Sequence, residues 1–256
     1  MPAVLATAGL TGLVPMGCID LSTDPDEIVA IELVAPAWPS IVAGDSLRDA
    51  SGMAVPLAAR LFGGDGDEVV GAPVDFLPGD NRLSVLPGNF LVATAGATGT
   101  VELRASAPGV QSPTQQIEIV ERPDSLATDA APTPLDWVIP DDPLVNVSVP
   151  LGGQVLSITE PDTTGVPAWI VTFELESRDT LVAPGDTTGV YLVNESGRVS
   201  YADTTDGTGR ASRRVRVRIA PGFTPPDSVI VRVRASYRGV PLPGSPVRLV
   251  LPLRPR

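Results

Sequence analysis

Between Val166 and Tyr237 the chain alternates apolar and polar residues with a period of two. In PAWIVTFELE, Trp169, Val171, Phe173 and Leu175 fall on one side, and Ile170, Thr172, Glu174 and Glu176 on the other. RRVRVRI sets Val215, Val217 and Ile219 against Arg214, Arg216 and Arg218. SVIVRVRA sets Val229, Val231, Val233 and Ala235 against Ile230, Arg232 and Arg234. Successive side chains of a strand point to opposite faces, so each segment reads as a half-buried antiparallel strand with its apolar row in a core. The arginine rows must face water or carboxylates, because burying an unpaired guanidinium is prohibitive.

The same reading places strands at IVAIELVA, AVPLAARLF, GAPVDFL, NFLVATA, GTVELRASA and QIEIVE in the first half of the chain. In the second half it adds LVNVSVPL, QVLSITE, GVYLVN and PVRLVLPL. Turn clusters separate these segments and no helix-period segment intervenes, a spacing that predicts β-sandwiches. RPDSLATDAAPTP is poor in large apolar residues and is expected to be an extended, exposed linker. The expected organisation is a leading segment over 1–26, a first sandwich over 27–122, a linker over 123–134 and a second sandwich over 135–256.

Composition sharpens this picture. A chain of 256 residues suits two modules. Hydrophobic residues make up 43% but aromatics only 4%, so the core must be built from Val, Leu, Ile and Ala, which favours strands. The 25 glycines and 28 prolines fit many short turns. Histidine is absent and cysteine occurs once, which removes the usual equipment of acid–base, nucleophilic and zinc chemistry. A hydrolase would need a carboxylate pair, a serine with an unusual base or a metal held by carboxylates alone, yet the acidic residues cluster in turns. No glycine-rich phosphate loop follows a strand.

Net charge is −12, and all 18 basic residues are arginine. Residues 27–122 hold 5 arginines against 12 carboxylates, whereas residues 135–256 hold 13 of each. An acidic chain of this kind is a poor nucleic-acid binder.

Several segments resemble known families. MPAVLATAGLTGLVPMG is uncharged, too short for a membrane span, and leads directly to Cys18. LVPMGC resembles the lipobox of bacterial lipoproteins, with Gly17 in the small-residue position and Pro15 where Leu is usual. The resemblance implies a signal peptide, a lipidated Cys18 as mature N-terminus, CIDLSTDPDE as a tether and, with Ile19 next, an outer-membrane address. APVDF followed by ATGTVELRASAPGV resembles the bacterial immunoglobulin-like (Big) families of surface proteins. GVPAWIVTFEL, TTDGTGRASRRVRV and DSVIVRVRASYRG resemble the invasin/intimin type of such domains. These resemblances imply an all-β chain of two tandem immunoglobulin-like sandwiches, acting as a non-catalytic structural or adhesion module on the cell envelope. A subunit of a filament or surface layer is the alternative. The implied partners are other envelope or surface proteins, an anionic polysaccharide, and the membrane through the lipid.

Candidate surface chemistry is sparse. Arg214, Arg216 and Arg218 form either a solvated face or a contact patch for an anionic glycan or an acidic partner, such as the first module of another copy. The immunoglobulin topology sets them beside QVLSITE, where Ser157 and Thr159 face outward and Glu160 is the one carboxylate. Glu174 and Glu176 are expected beside Arg232 and Arg234 in the opposite sheet. Asp65, Asp67 and Glu68 form an oxygen-rich loop in which calcium is conceivable, as do Asp141 and Asp142, but neither has the EF-hand ligand series. Asp162–Gly165, Asp186–Gly189 and Asp203–Gly207 read as Asp-Thr-Gly turns. The sequons at Asn146 and Asn194 are incidental in a bacterial chain.

Overall fold

The computed structural model describes residues 27–36, 38–128 and 131–256, so Cys18 and its flanking segment lie outside the described residues. Every regular element among the described residues is a strand. In the first module, β1 (Ile28–Leu33) pairs antiparallel with β3 (Ala59–Gly63), and β5 (Leu83–Leu86) with β6 (Phe90–Ala93). A bridge between Pro56 and Phe90 joins the two pairs into one layer. The other layer runs β2 (Ser40–Val42), β9 (Gln115–Val120), β7 (Gly99–Ala107) and β4 (Asp75–Pro78), with β8 (Val110–Gln111) folded back on β7.

The second module repeats this plan. One sheet runs β10 (Ser125–Ala127), β12 (Leu151–Thr159), β18 (Arg210–Val217) and β16 (Val190–Val193), with β13 (Asp162–Gly165) paired to β12. The other runs β11 (Leu135–Trp137), β22 (Val247–Pro255), β19 (Ser228–Arg234) and β14 (Ile170–Ser177), where β15 (Thr180–Leu181) and β17 (Ala202–Thr204) pair with opposite halves of β14. A hairpin of β20 (Ser236–Tyr237) and β21 (Val240–Pro241) completes it. In each module a short early strand lies parallel to the last one, β2 on β9 and β11 on β22. The chain is therefore all-β, two tandem sandwiches with immunoglobulin-like strand order.

The apolar rows face the core as expected, with Ile219 half-buried. Trp169, Val171, Phe173 and Leu175 are buried, as are Val215, Val217, Val229, Val231, Val233 and Ala235. Other expectations need correction. Part of the expected linker over 123–134 belongs to the second sandwich, because Leu126 is buried and β10 pairs with β12, whereas Thr128, Ala131 and Thr133 are exposed; residues 121–124 lie between the last strand of the first sandwich and β10. LVNVSVPL is not a strand. Asn146 is fully buried there, accepting the Val138 N–H through Oδ1 at 2.7 Å and donating to the Val138 carbonyl at 3.1 Å, so side-chain bonds replace a ladder. Asp162–Gly165 is strand rather than turn, whereas Asp186 and Asp206 each accept an N–H two residues on, from Thr188 and Thr208.

Candidate functional site

The densest polar constellation lies where the two modules meet. Two turns deliver it. In the first module Asp49 Oδ1 accepts the N–H groups of Ser51 (2.9 Å) and Met53 (3.0 Å), shaping the loop after Asp45 and Arg48. In the second, Arg238 and Gly239 both adopt positive φ, 52° and 73°, in the two-residue turn between β20 and β21, which projects Tyr237 and Arg238 toward Asp45. The backbones touch closely. A Cβ on Gly52 would lie 2.1 Å from the Arg238 carbonyl carbon, and one on Gly239 would lie 2.4 Å from the Ser51 oxygen, so only glycine fits at either position.

Asp45 is the hub. Its Oδ2 accepts from Tyr237 Oη–H (2.7 Å), Arg48 Nε (2.9 Å) and Arg238 Nε (3.0 Å), while Oδ1 accepts from the Ser46 N–H (2.8 Å) and Arg48 (2.7 Å). Burial by itself would raise the Asp45 pKa, but the bonds from Arg48, Arg238, Tyr237 and Ser46 outweigh it and hold the carboxyl far below the usual carboxylate range. Burial, and then the bond to Asp45, push the Tyr237 hydroxyl upward.

Aromatic rings close the joint around this hub. Trp38 and Trp169 are buried with ring centroids 5.4 Å apart, and Tyr237 meets Trp169 edge-on at 6.1 Å. The guanidinium groups of Arg122 and Arg238 lie 5.9 and 5.3 Å from the Tyr237 ring centroid. Ser40 donates to the Ala168 carbonyl at 2.8 Å and Thr164 to Glu121 at 2.8 Å. The cavity left among Trp38, Asp45, Arg48, Trp169 and Tyr237 is about 20 Å³, far below the roughly 300–1,000 Å³ of ligand pockets. Chemically, the arrangement fastens one sandwich to the other. Sequence reasoning singled out none of Asp45, Arg48 and Arg238 and missed the joint; the available signal was that two of only three tryptophans, Trp38 and Trp169, flank it.

The arginine row is not a ladder. Arg216 is buried, donates to Asp141 Oδ2 at 2.7 Å, and also bonds the carbonyls of Asn146 and Val217. Asp141 in turn accepts from Asn146 (3.1 Å) and the Ile219 N–H (3.2 Å). Burial alone would raise the Asp141 pKa, but these bonds, that of Arg216 foremost, hold it low. Arg214 is half-buried and Arg218 exposed, so the three guanidinium groups present no common surface. Their cross-strand neighbours also differ from expectation. Arg214 and Arg216 lie opposite Val193 and Tyr191 of β16, and β12 reaches only Arg210–Arg213. Arg213, which alternation turns inward, is buried over the Phe173 ring at 5.7 Å and paired with Asp203 at 2.7 Å.

Glu174 and Glu176 do meet the expected arginines, diagonally. Arg234 Nε lies 3.0 Å from Glu174, and Arg232 engages Glu176. Asp65, Asp67 and Glu68 sit exposed in the turn after β3, where Asp65 accepts the Asp67 N–H, and among the described residues no three acidic side chains converge on a possible metal position. Asp141, bound to Arg216, is likewise not free for calcium. A groove of about 830 Å³ runs past Gly152, Gly153, Asp203 and Arg213. The carboxylate of Asp203 is committed to Arg213 and to the Ser212 N–H, which leaves it no role as a free base.

No protein-family model matches the chain, and no curated protein does. Among solved structures it is similar to the Yersinia pseudotuberculosis adhesin InvE, with 16% identity, 86% of this chain and 58% of that chain covered, and a TM-score of 0.33. Domains 4 and 5 of the S-layer protein SbsC align at 13% identity over 89% of this chain and 99% of that one, with a TM-score of 0.32. The D0-D1 domain of intimin aligns at 14% identity over 88% and 98%, with a TM-score of 0.28. Similarity at this level assigns neither a ligand nor an activity.

Proposed function

We propose that the chain is a non-catalytic structural or adhesion module of a bacterial cell envelope, a stiff spacer made of two sandwiches held as one body. The observation behind this reading is the closed joint, where a buried carboxylate of the first module, Asp45, is held by Tyr237 and Arg238 of the second. A flexible tether would leave the modules free to reorient. Here residues 121–124 are short, the aromatic rings interlock and both contact glycines exclude any side chain. Such a body holds whatever it bears at a set distance and orientation from its anchor. In this reading Cys18 carries the lipid that anchors the chain to the outer membrane, and envelope proteins or anionic polysaccharide are the partners.

Residual dipolar couplings test the stiffness: one alignment tensor should fit both modules of the purified chain. Separate tensors for the two would refute a single body. Mass spectrometry of protein from native membranes should find an acylated Cys18, and an intact Met1 terminus with a free thiol would exclude the anchor. A broad hydrolase-substrate screen should yield no turnover, and a reproducible activity would overturn the non-catalytic reading.

A further inference from the structure

On the outer face of the β11-β22-β19-β14 sheet, Arg232, Arg234, Arg248 and Arg254 meet Glu174, Glu176 and Asp136, which leaves one arginine in excess. Arg232 takes Glu176 and Arg234 takes Glu174. Arg248 stands directly across from Arg232 in the β19–β22 register and is exposed, and it has no ion pair with any described residue. Like charges placed opposite one another across strands repel. The neighbouring cross-strand pair is Ile230 with Val250, and Val250 is 52% exposed. The face thus presents an uncompensated guanidinium beside an aliphatic strip.

The equivalent sheet of the first module has the opposite character. Its outer face bears Asp75, Glu102 and Glu118 against one arginine, Arg104, which lies 3.2 Å from Glu102. Asp75 has no ion pair with a described residue, and Glu118 accepts the Thr100 hydroxyl and lies near Arg82, whose own ion pair is with Asp80. Leu77, 43% exposed, lies across from Arg104 in the β4–β7 register. Four arginines against three carboxylates on one face therefore complement three carboxylates against one arginine on the strands of the other, and each face offers an exposed aliphatic group.

We propose that this face of the second module docks the equivalent face of the first module on a second copy of the chain. The contact is heterologous, pairing two different surfaces, and so builds either a reciprocal dimer or an open chain of copies. Its charges are largely solvated, so association is weak and weakened further by salt. The inference is independent of the adhesion reading, because it concerns the protein in solution.

Two variants test it. Arg248→Glu with Val250→Ser spoils the second-module face, and Asp75→Arg with Leu77→Ser spoils the first. By sedimentation velocity the unaltered chain should associate with rising concentration between about 1 µM and 1 mM at low salt, and less so in about 0.5 M salt. Each variant alone should associate at least about tenfold more weakly. An equimolar mixture of the two should recover association, because each supplies the face the other lacks. A chain that stays monomeric throughout the range, a variant that associates as well as the unaltered chain, or a mixture that stays monomeric would overturn the proposal. Should either variant fail to fold, Arg248→Gln and Asp75→Asn remove the charge while keeping a polar side chain and give the same comparison.

Discussion

Tyr237 reaches across the module boundary to place its hydroxyl 2.7 Å from Asp45, a residue 192 positions earlier in the chain. Because Asp45 also gathers Arg48 and Arg238, a single carboxylate pairs with guanidinium groups from both sandwiches. The joint is consequently an electrostatic clamp surrounded by aromatic packing, and its parts have separable energetic weights.

Tyr237→Phe removes one donor and leaves both arginines, so it should cost about 1 kcal/mol of unfolding free energy. Asp45→Ala removes the shared acceptor and leaves two guanidinium groups facing each other, at a cost of about 2–3 kcal/mol, below the value for a fully buried pair because Arg238 is half exposed. Urea denaturation should show the second variant unfolding in two resolved steps as the modules uncouple.

Gly52 adopts a φ of +84°, and a methyl group there would strike the Arg238 backbone. Gly52→Ala should cost about 1–3 kcal/mol through that strain and collision. It should also raise the amide exchange rates of residues 236–240 relative to the strands of either core.

The arginines of β18 should respond unequally to substitution. Arg216→Ser strands Asp141 and vacates a packed site, with an expected loss of about 3 kcal/mol. Arg218→Ser, at an exposed position, should stay within about 0.5 kcal/mol. Thermal unfolding of the two single variants separates these outcomes.

Acid should weaken the fold through Asp45 and Asp141. Both have folded-state pKa values below those of an unfolded aspartate, so the unfolded chain takes up protons first as pH falls. Their stabilisation is complete above the unfolded value of about 3.9 and is lost progressively as pH drops below it. Stability measured against pH should be level near neutrality and decline below about pH 4, and Asp45→Asn should flatten that decline.

Glu174 and Arg234 are each about one-third exposed or more, so their pairing is worth little. A double-mutant cycle with Glu174→Gln and Arg234→Gln should return a coupling of about 0.2–1 kcal/mol that shrinks as salt is added.

The faces of individual strands were legible because alternation is a local property. Trp169, Val171, Phe173 and Leu175 enter the core together since the pleat allows adjacent residues no other choice. The partnership of Glu174 and Glu176 with Arg232 and Arg234 was legible too, as a consequence of the strand order that immunoglobulin-like sandwiches share. Asn146 misled the reading, because a polar residue within an apolar run looks like the outward position of a strand. Only its surroundings show that its amide caps the Val138 backbone.

By itself, then, the sequence determined that the chain is all-β, that it makes two sandwiches and which rows are buried, all consequences of side-chain period and turn chemistry acting over a few residues. Tertiary structure decided which distant segment covers each face and which carboxylate meets each guanidinium. Arg216 shares its periodic position with Arg214 and Arg218, yet it alone is buried, because the loop bearing Asp141 and Asn146 folds over it from 70 or more residues away. Asp45 became a hub because two turns in different modules converge on it, and nothing in the local pattern of either turn encodes where the other will lie.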